Sequence, residues 1–183
     1  MKVFVAAGAY RPKNEIYIED AKNLGRLLAE NKFTYVQGGC SKGLMGATYS
    51  EFLLKSDDCE LIIPNAYKDD VNDMPCKKLH LVDTINQRLM LITKMCDYII
   101  TIPGGFGTID EITNFVETNR SKEHKAKLVL ININGFYDDY IKQIEKMTEE
   151  GFVIKGIFDT IVKIVNTSEE AIEFIKNDIE LSK

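Results

Sequence analysis

The sequence predicts an α/β protein with one doubly wound parallel sheet that is covered by helices on both faces. Short apolar segments alternate with amphipathic segments along the whole chain, and apolar runs such as 60–63 and 97–102 are nearly continuous. Such runs are typical of parallel strands that are buried on both sides. Glycine-rich turns follow several of the strands, at the sheet edge where α/β proteins bind ligands. The 183 residues suit a single domain, 1–183.

The first half of the chain contains four predicted strands. The segment 2–7 is a short apolar strand that ends at Gly8, and 16–30 carries apolar residues at helical spacing. The other elements of this half are strands at 33–36, 60–63 and 79–82, a helix at 44–54 and an irregular excursion over 64–78. Pro64 ends the third strand because proline cannot donate a backbone hydrogen bond.

The second half continues the alternation. An amphipathic helix at 84–95 leads into the central strand 97–102, and a glycine-rich turn then opens the helix 107–120. The remaining elements are a strand at 127–131, a helix at 137–149, a strand at 160–165 and a last helix at 168–177. Ser168 is the predicted N-cap of that last helix, since a short hydroxyl side chain accepts hydrogen bonds from free helix N–H groups.

Composition limits the classes of partner. With 45% hydrophobic and 28% charged residues, the chain is typical of globular proteins. The formal net charge of −5 disfavours a nucleic acid polymer as partner and favours a small molecule. We see no secretory leader and no apolar run long enough for a membrane span, so we expect a cytoplasmic protein without a membrane partner. The four cysteines are scattered and form no CxxC pair, which favours reduced thiols in a reducing compartment.

Two glycine-rich turns carry the predicted chemistry. Residues 38–46 read GGCSKGLMG and residues 103–111 read PGGFGTIDE. In the second turn, glycines let the backbone approach a ligand closely, and the free N–H groups at the start of the helix favour a phosphate. Glu111 lies one helical turn beyond Gly107, where its carboxylate can reach the bound group. Neither turn has the dinucleotide or P-loop pattern, which disfavours nicotinamide and triphosphate chemistry.

Both turns resemble the signature loops of the LOG family, the cytokinin riboside 5'-monophosphate phosphoribohydrolases that have often been labelled lysine decarboxylases. The resemblance extends from the Gly8 turn to Glu150-Gly151-Phe152. It implies a Rossmann-like fold, a homodimer and hydrolysis of a nucleoside 5'-monophosphate, with a small-molecule nucleotide as ligand and with neither cofactor nor metal. The arginine and glutamate that work together in the family correspond to Arg88 and Glu111.

Apart from Arg88, which lies on the predicted helix 84–95, the predicted site residues follow the ends of three strands. Glu111 is expected to stabilise the positive charge that develops on the ribose as the N-glycosidic bond breaks. Arg88 is expected either to keep Glu111 ionised or to contact the ribose or phosphate. The predicted substrate and phosphate contacts are Gly8, Gly39, Ser41, Gly43, Met45, Gly46, Gly104, Gly105, Phe106, Gly107 and Thr108.

Several alternatives stay open at this point. The chain departs from the family pattern at Cys40, at Ala9 and at Leu89, and after Glu111, so an adenine-type purine, a pyrimidine and a modified nucleotide are all candidate bases. Similar loops could hold a nucleotide or a phosphorylated cofactor without turnover, as in molybdenum-cofactor carriers. A third alternative is a transferase of the nucleoside deoxyribosyltransferase type.

Other chemistry is disfavoured by the sequence. His80 and His124 stand far apart without the spacing of metal ligands, so each is expected at the surface or at a strand end. Cys40 fits a small residue in a tight turn better than a reactive thiol, because no base accompanies it. Lysine decarboxylation would need a cofactor lysine in a recognisable setting, which the chain does not offer.

Overall fold

A computed structural model, which describes residues 1–181, contains one sheet of seven parallel strands. The strands are β1 (Lys2–Ala6), β2 (Thr34–Gln37), β3 (Cys59–Pro64), β4 (Lys78–Val82), β5 (Tyr98–Thr101), β6 (Lys127–Ile131) and β7 (Val162–Val165). Their order across the sheet is β4-β3-β2-β1-β5-β6-β7. The chain winds outward from β1 to one edge, returns to the centre at β5 and winds to the other edge. This topology confirms the predicted doubly wound, Rossmann-like α/β domain.

Helices cover both faces of the sheet. They are α1 (Glu15–Glu30), α2 (Gly43–Leu53), α3 (Ile85–Met95), α4 (Phe106–Arg120), α5 (Asp138–Glu149), α6 (Ile157–Ile161) and α7 (Ser168–Leu181). Buried residues of α1, α2 and α7 share one hydrophobic cluster, and those of α3, α4, α5 and α6 share the other. The helices that carry the two glycine turns therefore lie on opposite faces, α2 on one and α4 on the other.

The central strand β1 shows how the sequence divides the core. Val3 and Val5 belong to the cluster under α1, whereas Phe4 and Ala6 belong to the cluster under α4. All four side chains are essentially inaccessible to solvent. Because successive side chains of a strand point to opposite faces, this single strand holds both helical layers against the sheet and fixes its register.

The strand predicted at 160–165 is wrong in its first two residues. They belong to the short helix α6, and β7 begins only at Val162. Gly156 begins this turn with a φ of +79°, and the N–H group of Thr160 donates to the carbonyl of Gly156 at 3.2 Å. The β-branched residues at 160 and 161 favour a strand locally, but burial of Phe158 against the sheet stabilises the helical turn.

The predicted cap of the last helix is also wrong. The Thr167 hydroxyl accepts a hydrogen bond from the N–H of Glu170 at 3.2 Å, so Thr167 caps α7. Ser168 is instead fully buried, and its hydroxyl donates to the carbonyl of Asp20 on α1 at 3.1 Å. The helix runs to Leu181, beyond the predicted end at 177. In the excursion 64–78, the structure forms a 3₁₀ helix at Asn65–Val71.

Candidate active site

A cavity of about 800 Å³ opens at the carboxyl ends of the central strands. Its walls come from the turn at Gly8 after β1, the first glycine loop (residues 38–46) after β2, the 3₁₀ segment after β3, helix α3 and the second glycine turn (residues 103–111) after β5. The strand ends that the sequence places at one edge therefore meet in space. The cavity lies at the point where the chain reverses direction across the sheet, which is the usual ligand site of such folds.

An ion pair between α3 and α4 lies inside this cavity. Nη2 of Arg88 is 2.5 Å from Oε1 of Glu111, and the two side chains are only 16% and 10% exposed. Burial raises the pKa of Glu111 above its ordinary value, although the charge and hydrogen bond of Arg88 oppose this shift. The Glu111 carboxylate therefore lies in a partly desolvated site, where the Arg88 guanidinium is the main group that favours its ionised form.

Gly38 makes room for the guanidinium of Arg88. A Cβ atom at position 38 would lie 2.5 Å from Nη2 of Arg88, which is closer than real side chains approach. Within the described chain, Nε of Arg88 is buried and has no hydrogen-bond partner. Such an unmet buried donor is unfavourable for folding and needs an explanation, of which a role in catalysis or binding is one. The prediction from sequence did not include Gly38, although it belongs to the first glycine loop.

The start of α4 supplies free hydrogen-bond donors to the same cavity. The N–H of Ile109 donates to the carbonyl of Gly105 at 3.0 Å, so the N–H groups of residues 106–108 precede the first helical hydrogen bond. Gly105, Phe106, Gly107 and Thr108 all line the cavity. An added Cβ at Gly105 or Gly107 would meet no atom within 4 Å. No atom of the described chain fills the space beside these two glycines, so that space is open to a ligand.

The first glycine loop uses most of its donors internally. The N–H groups of Leu44 and Met45 donate to the carbonyl of Gly8 at 2.9 and 3.3 Å. The N–H groups of Gly39 and Cys40 donate to Oε1 of Gln37 at 3.1 and 3.0 Å. The N-terminus of α2 is consequently closed to a ligand, whereas that of α4 is open. The two turns differ in role, since the first forms a wall of the cavity and the second presents donors.

Three of the predicted contact residues do not line the cavity. An added Cβ would lie 2.5 Å from the carbonyl carbon of Ala9 at Gly43, 2.1 Å from the Ser41 oxygen at Gly46, and 2.0 Å from Oγ1 of Thr108 at Gly104. Gly43 also has a φ of +58°, which favours glycine. Close packing explains Gly43, Gly46 and Gly104 without a ligand. The other predicted contacts, Gly8, Gly39, Ser41 and Met45 together with residues 105–108, do line the cavity.

The cavity also contains residues that the motifs did not indicate. Tyr67 and Asp70 come from the 3₁₀ segment, Ile85 begins α3, and Lys42 stands in the first glycine loop. Tyr67 and Asp70 lie in the excursion 64–78, which has no regular period, and the helical period around Ile85 does not indicate a ligand contact. Lys42 lies within the first glycine loop, so its position in that motif could have identified it as a residue of the site.

The two histidines are more enclosed than expected. Nε2 of His80 lies 2.7 Å from Oε2 of Glu60, and both side chains are largely buried. His124 is 8% exposed and bridges the carbonyl of Phe115 and the N–H of Ala126, at 3.0 and 3.1 Å. The expectation of a surface or strand-end location fits His124, which stands just before β6, but not His80, which lies in the middle of β4. Within residues 1–181, no three His, Cys, Asp or Glu side chains are grouped as a metal site.

The described residues also bear on two expectations about the chain's surroundings. Over residues 1–181, no helix has both the length and the apolar character needed to cross a membrane. The four cysteines, Cys40, Cys59, Cys76 and Cys96, are free thiols in the structure. A cytoplasmic location itself stays a prediction.

Comparison with known proteins gives one family and a consistent set of relatives. The profile described as "Possible lysine decarboxylase" matches residues 45–175. The chain is 28% identical over 169 residues to the rice cytokinin riboside 5'-monophosphate phosphoribohydrolase LOG, covering 92% of this chain and 70% of that protein. It is 28% identical over 177 residues to the Rhodococcoides fascians cytokinin riboside 5'-monophosphate phosphoribohydrolase, covering 96% and 89%.

Solved structures share the fold at lower identity. The molybdenum cofactor binding protein of Rippkaea orientalis aligns with a TM-score of 0.71 and 19% identity, covering 97% of each chain. The molybdenum cofactor carrier protein of Chlamydomonas reinhardtii aligns with a TM-score of 0.68 and 16% identity, covering 100% of this chain and 99% of that one. At these identities the alignments establish the common architecture and no more.

Proposed function

The chain belongs to the LOG family, whose profile is described as "Possible lysine decarboxylase", and on that premise we propose that it hydrolyses the N-glycosidic bond of a nucleoside 5'-monophosphate. The products are the free base and ribose 5-phosphate. Cytokinin riboside 5'-monophosphates and AMP are the first substrates to consider, since the relatives' names specify the former. One observation supports the proposal above the others: the buried pair of Arg88 and Glu111 shares a cavity with the open N-terminus of α4.

The phosphate fits the start of α4. Its negative charge is stabilised there by the helix dipole and by the N–H groups of residues 106–108. The space beside Gly105 and Gly107 lets the oxygens approach the backbone, since no protein atom fills it. Holding the phosphate, which does not react, orients the ribose toward Glu111 and makes its binding energy available to the transition state.

Bond cleavage then needs charge stabilisation at the anomeric carbon. As the C1'–N bond breaks, its electron pair leaves with the base and the ribose gains positive charge. The Glu111 carboxylate stabilises that charge and orients a water molecule, whose oxygen bonds to C1'. The water loses one proton and the departing base gains one, so atoms and charge balance without an oxidant or reductant. Arg88 keeps the carboxylate ionised and fixes its position through the 2.5 Å hydrogen bond.

The experiment that tests this proposal measures ribose 5-phosphate release from a panel of nucleoside monophosphates. We expect turnover of at least one substrate by the wild type and its loss in Glu111→Gln. The matched control is Glu117→Gln, the same change on the same helix at a side chain that is 58% exposed, which should keep full activity. Base exchange with an added free base would identify a transferase, and release of CO₂ from lysine would identify the decarboxylase that the profile's description suggests.

A second candidate function is a carrier that binds a nucleotide or phosphorylated cofactor without turnover. Molybdenum cofactor binding and carrier proteins share this architecture, with TM-scores of 0.71 and 0.68, so the fold is compatible with a carrier. A carrier has no need for a carboxylate at the binding site, where it repels the phosphate. Tight nucleotide binding without turnover on the whole panel, unchanged in Glu111→Gln, would replace the hydrolase proposal with this one.

The proposal includes a cytoplasmic homodimer, as the resemblance to the family implies. Light scattering should give twice the chain mass of 20.8 kDa. A monomeric mass at concentrations where the enzyme is active would contradict the dimer and leave the chemistry intact.

A further inference from the structure

The first glycine loop contributes a cation to the cavity in addition to forming its wall. We propose that Lys42 binds the phosphate of the ligand and supplies the full positive charge that the helix N-terminus lacks. This inference rests on the proposed nucleotide site but not on turnover, since it concerns binding alone.

Lys42 is the cation of the cavity that no ion pair engages. Four charged side chains line the cavity: Lys42, Arg88, Asp70 and Glu111. Arg88 is paired with Glu111, whereas neither Lys42 nor Asp70 has an ion-pair partner among residues 1–181, so the Lys42 ammonium is free to contact a ligand. A helix N-terminus offers roughly half a positive charge. A phosphate that carries nearly two negative charges therefore needs another donor, and Lys42 is the lining residue that can provide it.

Lys42 lines the same cavity as the start of α4, and two backbone hydrogen bonds link the segments that carry them. Two residues after Lys42, the N–H of Leu44 donates to the carbonyl of Gly8 at 2.9 Å. The N–H of Gly8 donates in turn to the carbonyl of Pro103 at 3.0 Å, at the beginning of the second glycine turn. These two hydrogen bonds in series tie the first loop to the turn whose donors are free. The flexible side chain of Lys42 can therefore reach a group held by residues 105–108.

Lys42 also breaks a local rule of helix formation. It is the N-cap residue of α2, where Ser, Thr, Asp and Asn are favoured and where a cation opposes the helix dipole. Its side chain makes no cap hydrogen bond and is exposed. The carbonyl of Gly8 accepts the N–H groups of Leu44 and Met45 in place of a cap side chain. A residue that is unfavourable for the fold but lines the cavity is best explained by a ligand.

The test measures binding by calorimetry, with inorganic phosphate, AMP and adenosine as probes. In Lys42→Met we expect affinity for AMP to fall about 10- to 100-fold, as for loss of a charge-assisted hydrogen bond, while affinity for adenosine stays unchanged. Lys42→Arg should retain most of the AMP affinity. The matched control is Lys22→Met, which removes an exposed lysine on α1 outside the cavity. The melting temperature of Lys42→Met should equal or exceed that of the wild type.

The outcomes separate this inference from the proposed function. Equal losses for AMP and adenosine, unchanged AMP affinity in Lys42→Met, or no measurable binding of phosphate and AMP by the wild type would each overturn it. Phosphate and AMP binding that depends on Lys42, in a protein that releases no ribose 5-phosphate, would sustain the inference while the hydrolase proposal failed.

Discussion

Two glycines of the second turn should respond in opposite ways to the same substitution. Gly104 and Gly107 both belong to the PGGFGTIDE sequence, and from the sequence alone both are phosphate contacts. In the structure, a methyl group at Gly104 would lie 2.0 Å from Oγ1 of Thr108 and 2.9 Å from the nitrogen of Gly8. A methyl group at Gly107 would meet nothing within 4 Å. One glycine is thus required by the fold and the other by the ligand.

The magnitudes follow from these contacts. Gly104→Ala should lower the free energy of unfolding by about 1–3 kcal/mol, as overpacking of a buried site does, and the melting temperature by roughly 2–12 °C. Gly107→Ala should leave stability unchanged or raise it by up to about 1 kcal/mol, because alanine favours helix. Since Cβ atoms of a helix point toward its N-terminus, the new methyl group enters the proposed phosphate position. Phosphate affinity should fall at least about tenfold.

The assay combines urea unfolding with calorimetric binding of inorganic phosphate and AMP. Gly107→Ala that folds normally and binds both ligands like the wild type would refute the assignment of the phosphate to the start of α4. Gly104→Ala with wild-type stability would refute the packing argument, because the Thr108 side chain and the Gly8 nitrogen must otherwise move.

Three further predictions concern protonation and the last helix. Because burial raises the pKa of Glu111, the acid-side decline of kcat/KM should lie at a pH above 4.5. Arg88→Ala should move that decline to higher pH in the residual activity. An acid-side decline at the same pH in wild type and Arg88→Ala would contradict this. Burial lowers the pKa of His124, so the unfolded chain binds the proton more tightly, and the stability advantage of the wild type over His124→Gln should shrink as pH falls below 6.5 in denaturant titrations. Thr167→Ala should destabilise the fold by about 0.5–2 kcal/mol without changing ligand affinity, which thermal unfolding would check and an effect below 0.3 kcal/mol would exclude.

The sequence predicts the architecture well because periodicity and turn residues report directly on strands and helices. The segments 2–7 and 97–102 are nearly continuous apolar runs, and the structure pairs them side by side at the centre of the sheet. At 160–161 the same reasoning fails, because β-branched residues favour a strand locally while burial of Phe158 holds a helical turn. Such a choice depends on residues distant in sequence, which a local pattern does not contain.

The sequence predicted only part of the candidate site, because the rest depends on contacts between residues that are distant along the chain. The resemblance to the LOG family implied that Arg88 and Glu111 work together, and the structure shows their ion pair. Sequence could not separate a glycine that avoids a clash, such as Gly46, from one that leaves open space, such as Gly105, because the difference lies in neighbouring atoms. Nor could it assign Asp70 to the cavity, since the irregular excursion places that residue only through its tertiary path.

The most direct test of the account is a parallel measurement of AMP binding and ribose 5-phosphate release in wild type and Glu111→Gln. AMP serves as the probe for binding, and release is followed on AMP and on cytokinin riboside 5'-monophosphates. We predict that the variant binds AMP at least as tightly as the wild type, because a repelling charge is removed, and that it releases no ribose 5-phosphate. Equal release by the two proteins would contradict the central role of Glu111.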